Sequence, residues 1–230
     1  MSCYKAKMTK EDLSRAIVTI GKDKLSSLPA AEYRGRICVI DKPEDVKKAV
    51  EEIKKEKIIG FDTETRPSFR RGQSYNLALI QLSTPKCTYL FRTNLIGYPK
   101  ELIEIFENPE ITKVGLSIHD DFHQLRKITD FEPQGFIDLQ SFVKNYRIAD
   151  NSLSRLYGIL FGKRISKGQR LTNWEQAELS DAQKSYAALD ASACVKIYNY
   201  LKDGNFNPLE SEYLTFPPEP EPQSEESPEP

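Results

Sequence analysis

The sequence predicts an α/β fold, in which a mixed β-sheet flanked by helices is followed by a mainly helical C-terminal part. Three observations lead to this prediction. The apolar segments KIIGFD, NLALIQLS and CTYLF follow one another closely, as in a strand meander. Later strand-like segments alternate with helical ones, and residues 152–201 have mainly helical patterning. Strands that meander and then alternate with helices build a mixed sheet covered by helices.

The elements before the meander are predicted from hydrophobic periodicity. Residues 10–25 have a helical pattern, and we treat residues 1–35 as an N-terminal helical extension without an assigned function. The segment RICVI, at 36–40, is strand-like. Residues 44–57 are predicted as an amphipathic helix, whose apolar face carries Val46, Ala49, Val50 and Ile53.

The elements after the meander alternate. Residues 102–106 are predicted to be helical, 114–118 to form a buried strand and 121–128 to begin a helix. The segment FIDL is predicted as a short strand. The helical region that follows is expected to break at residues 163–174.

The composition indicates a globular domain with tails. Of 230 residues, 39% are hydrophobic and 29% charged, and the mean hydropathy is −0.55. Residues 205–230 contain seven Glu and neither Lys nor Arg, and their richness in Pro, Glu and Ser predicts a disordered acidic tail. Residues 36–204 remain as the predicted functional domain. Residues 1–204 hold 33 basic and 27 acidic residues, a formal charge of +6 that suits a polyanionic partner.

Several classes of protein are not indicated. No apolar run approaches the ~20 residues that cross a bilayer, and no signal peptide is apparent, so we expect a cytoplasmic protein without a membrane partner. The four cysteines are far apart, unlike those of a zinc ribbon. FGKR lacks the glycine spacing of a phosphate-binding loop, so no nucleotide cofactor is expected.

Two carboxylates stand at the end of the central apolar strand. Asp62 and Glu64 are two residues apart, so in a strand they project to the same face. Two carboxylates so close repel each other unless a cation lies between them. A hard divalent ion such as Mg²⁺ or Mn²⁺ removes this conflict.

Further acids occur in two later segments. Asp120 and Asp121 follow the predicted strand 114–118 at the start of a helix, where one of them is expected to act as a helix cap. Asp190 lies on a helix rich in alanine, four residues after Tyr186 and on the same face. Since no cationic neighbour on this helix pairs with Asp190, it needs a partner from elsewhere, and a metal ion would serve.

The segments FDTE, IHDDFHQL and YAALDA, in this order, resemble the three motifs of the DEDDy 3′–5′ exonuclease superfamily, which includes ribonuclease D and the Werner-helicase exonuclease domain. NLALIQLST, FIDLQSF and LTNWEQAELSDAQKSYAALDA are similar to the Werner-type branch. The resemblance covers about residues 36–202. It implies a ribonuclease H-like fold, in agreement with the mixed sheet derived from periodicity.

The resemblance also implies which residues form the site. Asp62, Glu64, Asp121 and Asp190 would be the metal ligands, with Asp121 preferred to Asp120 because the family has an apolar residue four positions later, here a leucine. Asp62, Glu64 and Asp190 would hold one ion. Asp62, together with Asp121 acting largely through water, would hold the second.

The reaction that this implies is hydrolysis of a nucleic-acid 3′ end, with release of nucleoside 5′-monophosphates. Two Mg²⁺ or Mn²⁺ ions ~3.5–4 Å apart clamp such a displacement at phosphorus. Asp62, Glu64 and Tyr186 are the expected catalytic residues. Because a phenol with a pKa of ~10 is a poor base at neutral pH, we interpret Tyr186 as orienting the attacking water rather than deprotonating it.

Other residues admit two interpretations each. Thr63, Arg170 and Trp174 are assigned to substrate binding, although an apolar anchor for the preceding loop explains Trp174 better than base stacking does. His119 and His123 imitate a zinc-protease helix, but the chain has no third histidine to complete a zinc site.

The sequence is compatible with three functions. The preferred one is a DNA exonuclease acting on 3′ ends. The second is RNA 3′-end processing of the ribonuclease D kind, because the acids and metals are the same for both sugars. The third is a catalytically inactive nucleic-acid-binding module. The sequence identifies no protein partner.

Overall fold

The fold is built on a six-stranded mixed sheet. The computed structural model describes residues 14–216. Its main strands are β2 (Arg36–Ile40), β3 (Ile58–Thr65), β4 (Leu77–Ser83), β5 (Cys87–Phe91), β6 (Thr112–Gly115) and β7 (Phe136–Asp138). Their order across the sheet is β2-β5-β4-β3-β6-β7. A separate pair, β1 (Ile17–Val18) and β8 (Leu214–Thr215), is antiparallel.

The meander and the parallel strands are confirmed. β3, β4 and β5 pair antiparallel in succession, whereas β2 is parallel to β5 and β6 lies parallel between β3 and β7. All seven residues of β4 are buried, because helices cover both faces of the sheet at its centre. The mixed sheet flanked by helices matches the predicted class.

Eight α-helices are found in the described part of the chain. They are α1 (Lys22–Ser27), α2 (Pro43–Ile53), α3 (Thr93–Ile96), α4 (Lys100–Glu107), α5 (Ile118–Arg126), α6 (Leu139–Phe142), α7 (Leu153–Phe161) and α8 (Asp181–Lys202). Between residues 14 and 216 no helix is long and apolar enough to cross a membrane.

The helices form two layers with separate apolar cores. α2 and α4 pack on one face of the sheet, and the predicted apolar face of α2 is buried there. α7 and α8 cover the other face. The long helix α8 begins with a capping box, in which the Ser180 side chain accepts from the Gln183 backbone and the Gln183 side chain accepts from the Ser180 backbone.

Several boundaries differ from the predictions. The helix predicted over residues 10–25 is wrong for its central part, because Ile17 and Val18 form β1 and the helix α1 begins only at Lys22. Disorder predicted from residue 205 is wrong up to residue 216, because Tyr213 is buried and Leu214 pairs with Val18. The strand predicted to reach residue 118 ends at Gly115. Residues before 14 and after 216 lie outside the described part.

Candidate active site

The junction of β3 and α8 depends on a glycine. Gly60 and Asp62 project to the face of the sheet that α8 covers. A Cβ atom built on Gly60 would lie 1.9 Å from the carbonyl oxygen of Ala191. Because Gly60 has no side chain, α8 can lie directly against β3, and Asp190 is brought to the carboxylates of β3.

Three carboxylates meet at this junction. Asp62, Glu64 and Asp190 each place an oxygen within 4.8 Å of the others, and Glu64 and Asp190 are buried. Burial, followed by the charges of Asp62 and Asp190, raises the pKa of Glu64 to about 10. Burial raises the pKa of Asp190 to about 7. Burial and the charge of Asp190 raise the pKa of Asp62 well above its ordinary range. The metal-free cluster therefore resists full ionisation.

The donor set fits divalent metal ions. Oδ1 of Asp190 is buried and has no hydrogen-bond partner among the described residues, which is costly for a carboxylate oxygen. No lysine or arginine forms an ion pair with Asp62, Glu64 or Asp190 within residues 14–216. Clustered carboxylate oxygens are ligands that Mg²⁺ and Mn²⁺ prefer. A metal ion would both neutralise the cluster and provide a partner for Oδ1.

Asp121 lies at the edge of this cluster. It belongs to α5, and the hydroxyl of Thr63 donates a hydrogen bond to Asp121 Oδ1. Burial, with the charge of Asp62 as the next cause, raises the pKa of Asp121 to about 8. Asp120 is exposed. Asp121 is thus the acid of this pair that faces the site, although it lies outside the tight group of three.

The start of α5 is held by a residue from another strand. Asp138 accepts hydrogen bonds from the backbone nitrogens of Ser117 (3.1 Å), Ile118 (3.2 Å) and Gln140 (2.8 Å). Asp138 is the N-cap of α6, and the same carboxylate also accepts hydrogen bonds from the backbone where α5 begins. Since Ser117 has a left-handed backbone and makes no side-chain cap, Asp138 fixes the helix that carries Asp121.

Tyr186 lies one turn before Asp190 on α8, as expected. Burial is the first cause that raises its pKa above the ordinary value of a phenol, followed by the charges of Asp190 and Glu64. A phenol whose pKa is raised cannot act as a base near neutral pH. The geometry therefore favours a role in orienting a water or phosphate oxygen through the hydroxyl.

The substrate-binding assignments have different outcomes. Thr63 contacts Asp121 and supports the site from within. Arg170 is exposed, and its charge lowers the pKa of Glu64, which places it beside the cluster. Base stacking by Trp174 is wrong, because the indole is 0% exposed among Ala78, Leu79, Leu90, Leu179 and Ala187. Trp174 is the apolar anchor of its loop, and its ring centroid lies 6.1 Å from that of Tyr186.

Gln81 is a further polar residue beside the carboxylates that was not predicted from the sequence. This residue of β4 pairs in register with Asp62, so the two side chains project to the same face. Gln81 is fully buried, and neither its Oε1 nor its Nε2 has a hydrogen-bond partner in the described part of the chain. The signal was present in the sequence as one amide within the apolar run LALIQLS.

The fold and the cluster define an α/β protein with acidic side chains gathered where a central strand meets a long helix. Residues 37–204 match the family model described as "3'-5' exonuclease". The chain belongs to this 3′–5′ exonuclease family. The histidines of α5 take no part in a metal-competent cluster of the described residues, so the zinc alternative has no structural support.

Similar proteins support the same assignment. The chain is 32% identical over 186 residues to the mouse "Bifunctional 3'-5' exonuclease/ATP-dependent helicase WRN", covering 76% of this chain and 13% of the mouse protein. The Aedes aegypti Nibbler EXO domain has a TM-score of 0.69 at 21% identity, with 79% of this chain and 97% of that chain covered.

A further solved structure shows the same fold. Trypanosoma brucei RNase D in complex with RNA U12 has a TM-score of 0.63 at 21% identity, covering 78% of this chain and 64% of that chain. These structural likenesses confirm the predicted α/β fold, a mixed sheet flanked by helices.

Proposed function

We propose that this protein is a two-metal-ion exonuclease that hydrolyses phosphodiester bonds from nucleic-acid 3′ ends and releases nucleoside 5′-monophosphates. The observation that carries the proposal is the group of three carboxylate oxygens within 4.8 Å, which belong to Asp62, Glu64 and Asp190. Membership of the 3′–5′ exonuclease family supports the same activity.

The residues have distinct roles in the proposal. Asp62, Glu64 and Asp190 would hold one divalent ion, and Asp62, together with Asp121 acting largely through water, would hold the second. When bound, Mg²⁺ or Mn²⁺ ions supply an acidified water and stabilise charge that develops on the phosphate and leaving oxygen. Thr63 orients Asp121, and the hydroxyl of Tyr186 orients the attacking water for in-line attack.

DNA is the preferred substrate in this proposal because the Werner-type segments of the sequence favour it. RNA is the second candidate, supported by the shared fold with an RNase D that binds RNA. The acids and the tyrosine act at phosphate and do not distinguish the two sugars. A direct comparison of both substrates is therefore part of the test.

The test uses DNA and RNA strands labelled at either end, each with Mg²⁺, Mn²⁺ or EDTA. We expect labelled 3′ ends to be released first as nucleoside 5′-monophosphates, and EDTA to abolish cleavage. Asp62→Ala should remove activity without unfolding the protein. A wild-type protein that cleaves none of these substrates with either ion would contradict the proposal and favour the inactive binding module.

Adjacent acids provide a matched pair of variants. Asp121→Ala should reduce turnover strongly, because Asp121 contacts Thr63 and lies close enough to Asp62 for the charge of Asp62 to raise its pKa. Asp120→Ala, at an exposed position one residue away, should retain wild-type turnover. The opposite pattern would assign the second-motif ligand to Asp120.

A further inference from the structure

The two ends of the described chain lie outside the residues that match the exonuclease family, yet they are part of the fold. The family match covers residues 37–204, and the structure also describes residues 14–36 and 205–216. The two end segments pair through β1 and β8, and the backbone nitrogen of Thr19 donates to the carbonyl oxygen of Tyr213 at 3.1 Å. We call these two segments together the terminal clasp.

The terminal clasp is anchored to the domain at a buried carboxylate. Asp150, in the loop before α7, accepts hydrogen bonds from the hydroxyl of Thr19 (3.0 Å) and the backbone nitrogen of Ile20 (2.9 Å). Arg155 of α7 forms an ion pair with the same carboxylate at 2.7 Å and donates to the carbonyl oxygen of Ile20 at 2.9 Å. Charge-assisted hydrogen bonds are short and directional, so this part of the terminal clasp is held in one position.

α7 has a glycine at the place where the terminal clasp crosses it. A Cβ atom built on Gly158 would lie 2.9 Å from Cδ1 of Leu25 and 3.2 Å from Cδ1 of Leu28. Glycine is unfavourable in the interior of a helix. Here it leaves the space into which the two leucines pack, so that α1 lies directly against α7.

The terminal clasp next holds the start of the loop that follows α7. The backbone nitrogen of Ala31 donates to the carbonyl oxygen of Arg164 (2.8 Å), and the backbone nitrogen of Arg164 donates to that of Pro29 (3.0 Å). The side chain of Arg164 donates through Nε to the carbonyl oxygen of Leu28, at 3.1 Å. The next residue, Ile165, is buried. The beginning of this loop is therefore fixed by the terminal clasp.

The loop that is held in this way carries Arg170. Its far end is fixed separately, because Nε2 of Gln183 on α8 donates to the hydroxyl of Thr172 at 3.0 Å. Between these two anchors Arg170 is exposed, and its charge lowers the pKa of Glu64. The position of the guanidinium beside the carboxylates thus depends on both anchors, and the terminal clasp supplies the first of them.

A cavity of about 410 Å³ lies where the terminal clasp, the loop and α8 meet. Its lining includes Glu32 and Tyr33 of the clasp, Gln169 of the loop and Tyr186 of α8. The hydroxyl of Tyr33 also forms a hydrogen bond with that of Thr88 on β5, at 2.9 Å. The terminal clasp therefore contacts the sheet as well as the loop, and a displacement of the clasp would move the residue beside Arg170.

We propose that the terminal clasp is a positioning device for the active site, which holds residues 163–170 so that Arg170 stays beside the carboxylates and contacts a phosphate of the substrate. A cation held there offsets the repulsion between the acidic side chains and a polyanion. This inference rests on the proposed exonuclease function and assigns a role to segments outside the family match. Ala31 and Arg164 are positioning residues that act through Arg170.

A single backbone hydrogen bond provides the test. Ala31→Pro removes the N–H that donates to Arg164, whereas Ala31→Ser retains it. The full-length protein is titrated in EDTA against a fluorescein-labelled single-stranded oligonucleotide at several salt concentrations. We expect Ala31→Pro to weaken binding about tenfold, the size of one charge-assisted contact. It should also reduce the slope of log affinity against log salt by about one, as expected for one lost phosphate contact. Ala31→Ser should bind as wild type.

Double variants show whether the effect passes through Arg170. Arg170→Gln alone should cause the same losses of affinity and salt slope. In the Arg170→Gln background, Ala31→Pro should cause no further loss, because changes that act through one contact are not additive. Arg164→Ala removes only the bond to Leu28 and should give a smaller loss that also disappears in this background. If Ala31→Pro fails to fold, the cycle with Arg164→Ala decides.

Additive losses, or wild-type affinity for both Ala31→Pro and Arg164→Ala, would overturn the proposal. A wild-type protein that binds no strand would overturn the contact of Arg170 and the proposal with it. The control is Arg34→Ala, because the Arg34 side chain is 85% exposed and pairs with its neighbour Glu32. This variant of the same segment should keep the affinity and the salt slope of the wild type.

Kinetics separate positioning from a general loss of structure. With Mg²⁺ or Mn²⁺ present, Ala31→Pro should raise KM as Arg170→Gln does and leave kcat almost unchanged. A fall in kcat with an unchanged KM would contradict an action through Arg170. If the losses in EDTA are not additive but the protein cleaves no strand, the positioning role stands and the proposed function fails. If the protein cleaves and the losses add, the reverse holds.

Discussion

Gln81 and Asp62 lie directly opposite each other on antiparallel strands, and their side chains share the face that α8 covers. The amide is fully buried without a hydrogen-bond partner in the described structure, beside a carboxylate whose pKa is raised by burial. The site thus contains an unsatisfied polar group as well as a cluster of like charges. Such local instability is typical of catalytic centres, which sacrifice stability for chemistry.

Replacement of Gln81 by leucine should stabilise the metal-free protein. Leucine has a similar size and removes a buried amide that makes no hydrogen bond, so the free energy of unfolding should rise by about 1 kcal/mol. Denaturant unfolding in EDTA measures the change. The control is Gln183→Leu, because Gln183 is buried but bonded to Ser180, Thr172 and Asn173. That variant should lose about 1–3 kcal/mol, and equal effects at both positions would contradict the prediction.

Metal-free stability should fall as the pH rises. The pKa values of Glu64, Asp121 and Asp190 in the folded protein are about 10, 8 and 7, whereas carboxyl groups of unfolded chains titrate near ~4. Above this pH the folded state binds more protons than the unfolded state, so the slope of stability against pH is negative. The melting temperature in EDTA should decrease as the pH rises from about 5 to about 9.

Divalent ions should oppose the loss of stability that the metal-free protein shows as the pH rises. Metal binding requires deprotonated carboxylates, so Mg²⁺ or Mn²⁺ should raise the melting temperature more at pH about 8 than at about 6. Asp190→Asn should weaken the pH dependence of the melting temperature in EDTA. The same variant should show a smaller rise in melting temperature when metal is added. A wild-type melting temperature that does not respond to metal at either pH would contradict the site.

Replacement of Tyr186 by phenylalanine should separate chemistry from binding. The ring that packs near Trp174 remains, and only the hydroxyl beside Asp190 is lost. We expect turnover to fall by about 10²-fold or more, with little change in affinity for DNA or RNA in EDTA. Single-turnover kinetics and anisotropy measure the two quantities. Near-normal turnover would remove Tyr186 from the mechanism.

Replacement of Trp174 by alanine should destabilise the fold. The indole is completely buried, so its removal should cost about 3–5 kcal/mol, the usual effect of truncating a large core side chain. Trp174→Phe should lose less, because much of the buried ring is retained. Unfolding in denaturant measures the change in the free energy of unfolding for both variants. If Trp174→Ala kept full stability and lost only affinity for nucleic acid, the apolar-anchor role of Trp174 would be contradicted.

Local patterns predicted most of the sheet, the apolar face of α2 and the long helix α8, because periodicity reflects burial directly. The acids were recognisable because charges on apolar elements need partners. Contacts between segments distant in the sequence could not be predicted from these local patterns. β1 is only two residues long and is defined by its pairing with Leu214, which no local pattern encodes. The burial of Trp174 and the pairing of Gln81 with Asp62 likewise depend on tertiary packing.

Gly60 bears no functional group, yet the oxygen of Ala191 occupies the space that its side chain would fill. Any larger residue would force α8 outward and separate Asp190 from Asp62. A chain could then retain every acid and the tyrosine of the three motifs and still fail as a nuclease. Recognition of inactive members of this family therefore requires an inspection of this small residue as well as an inventory of ligands.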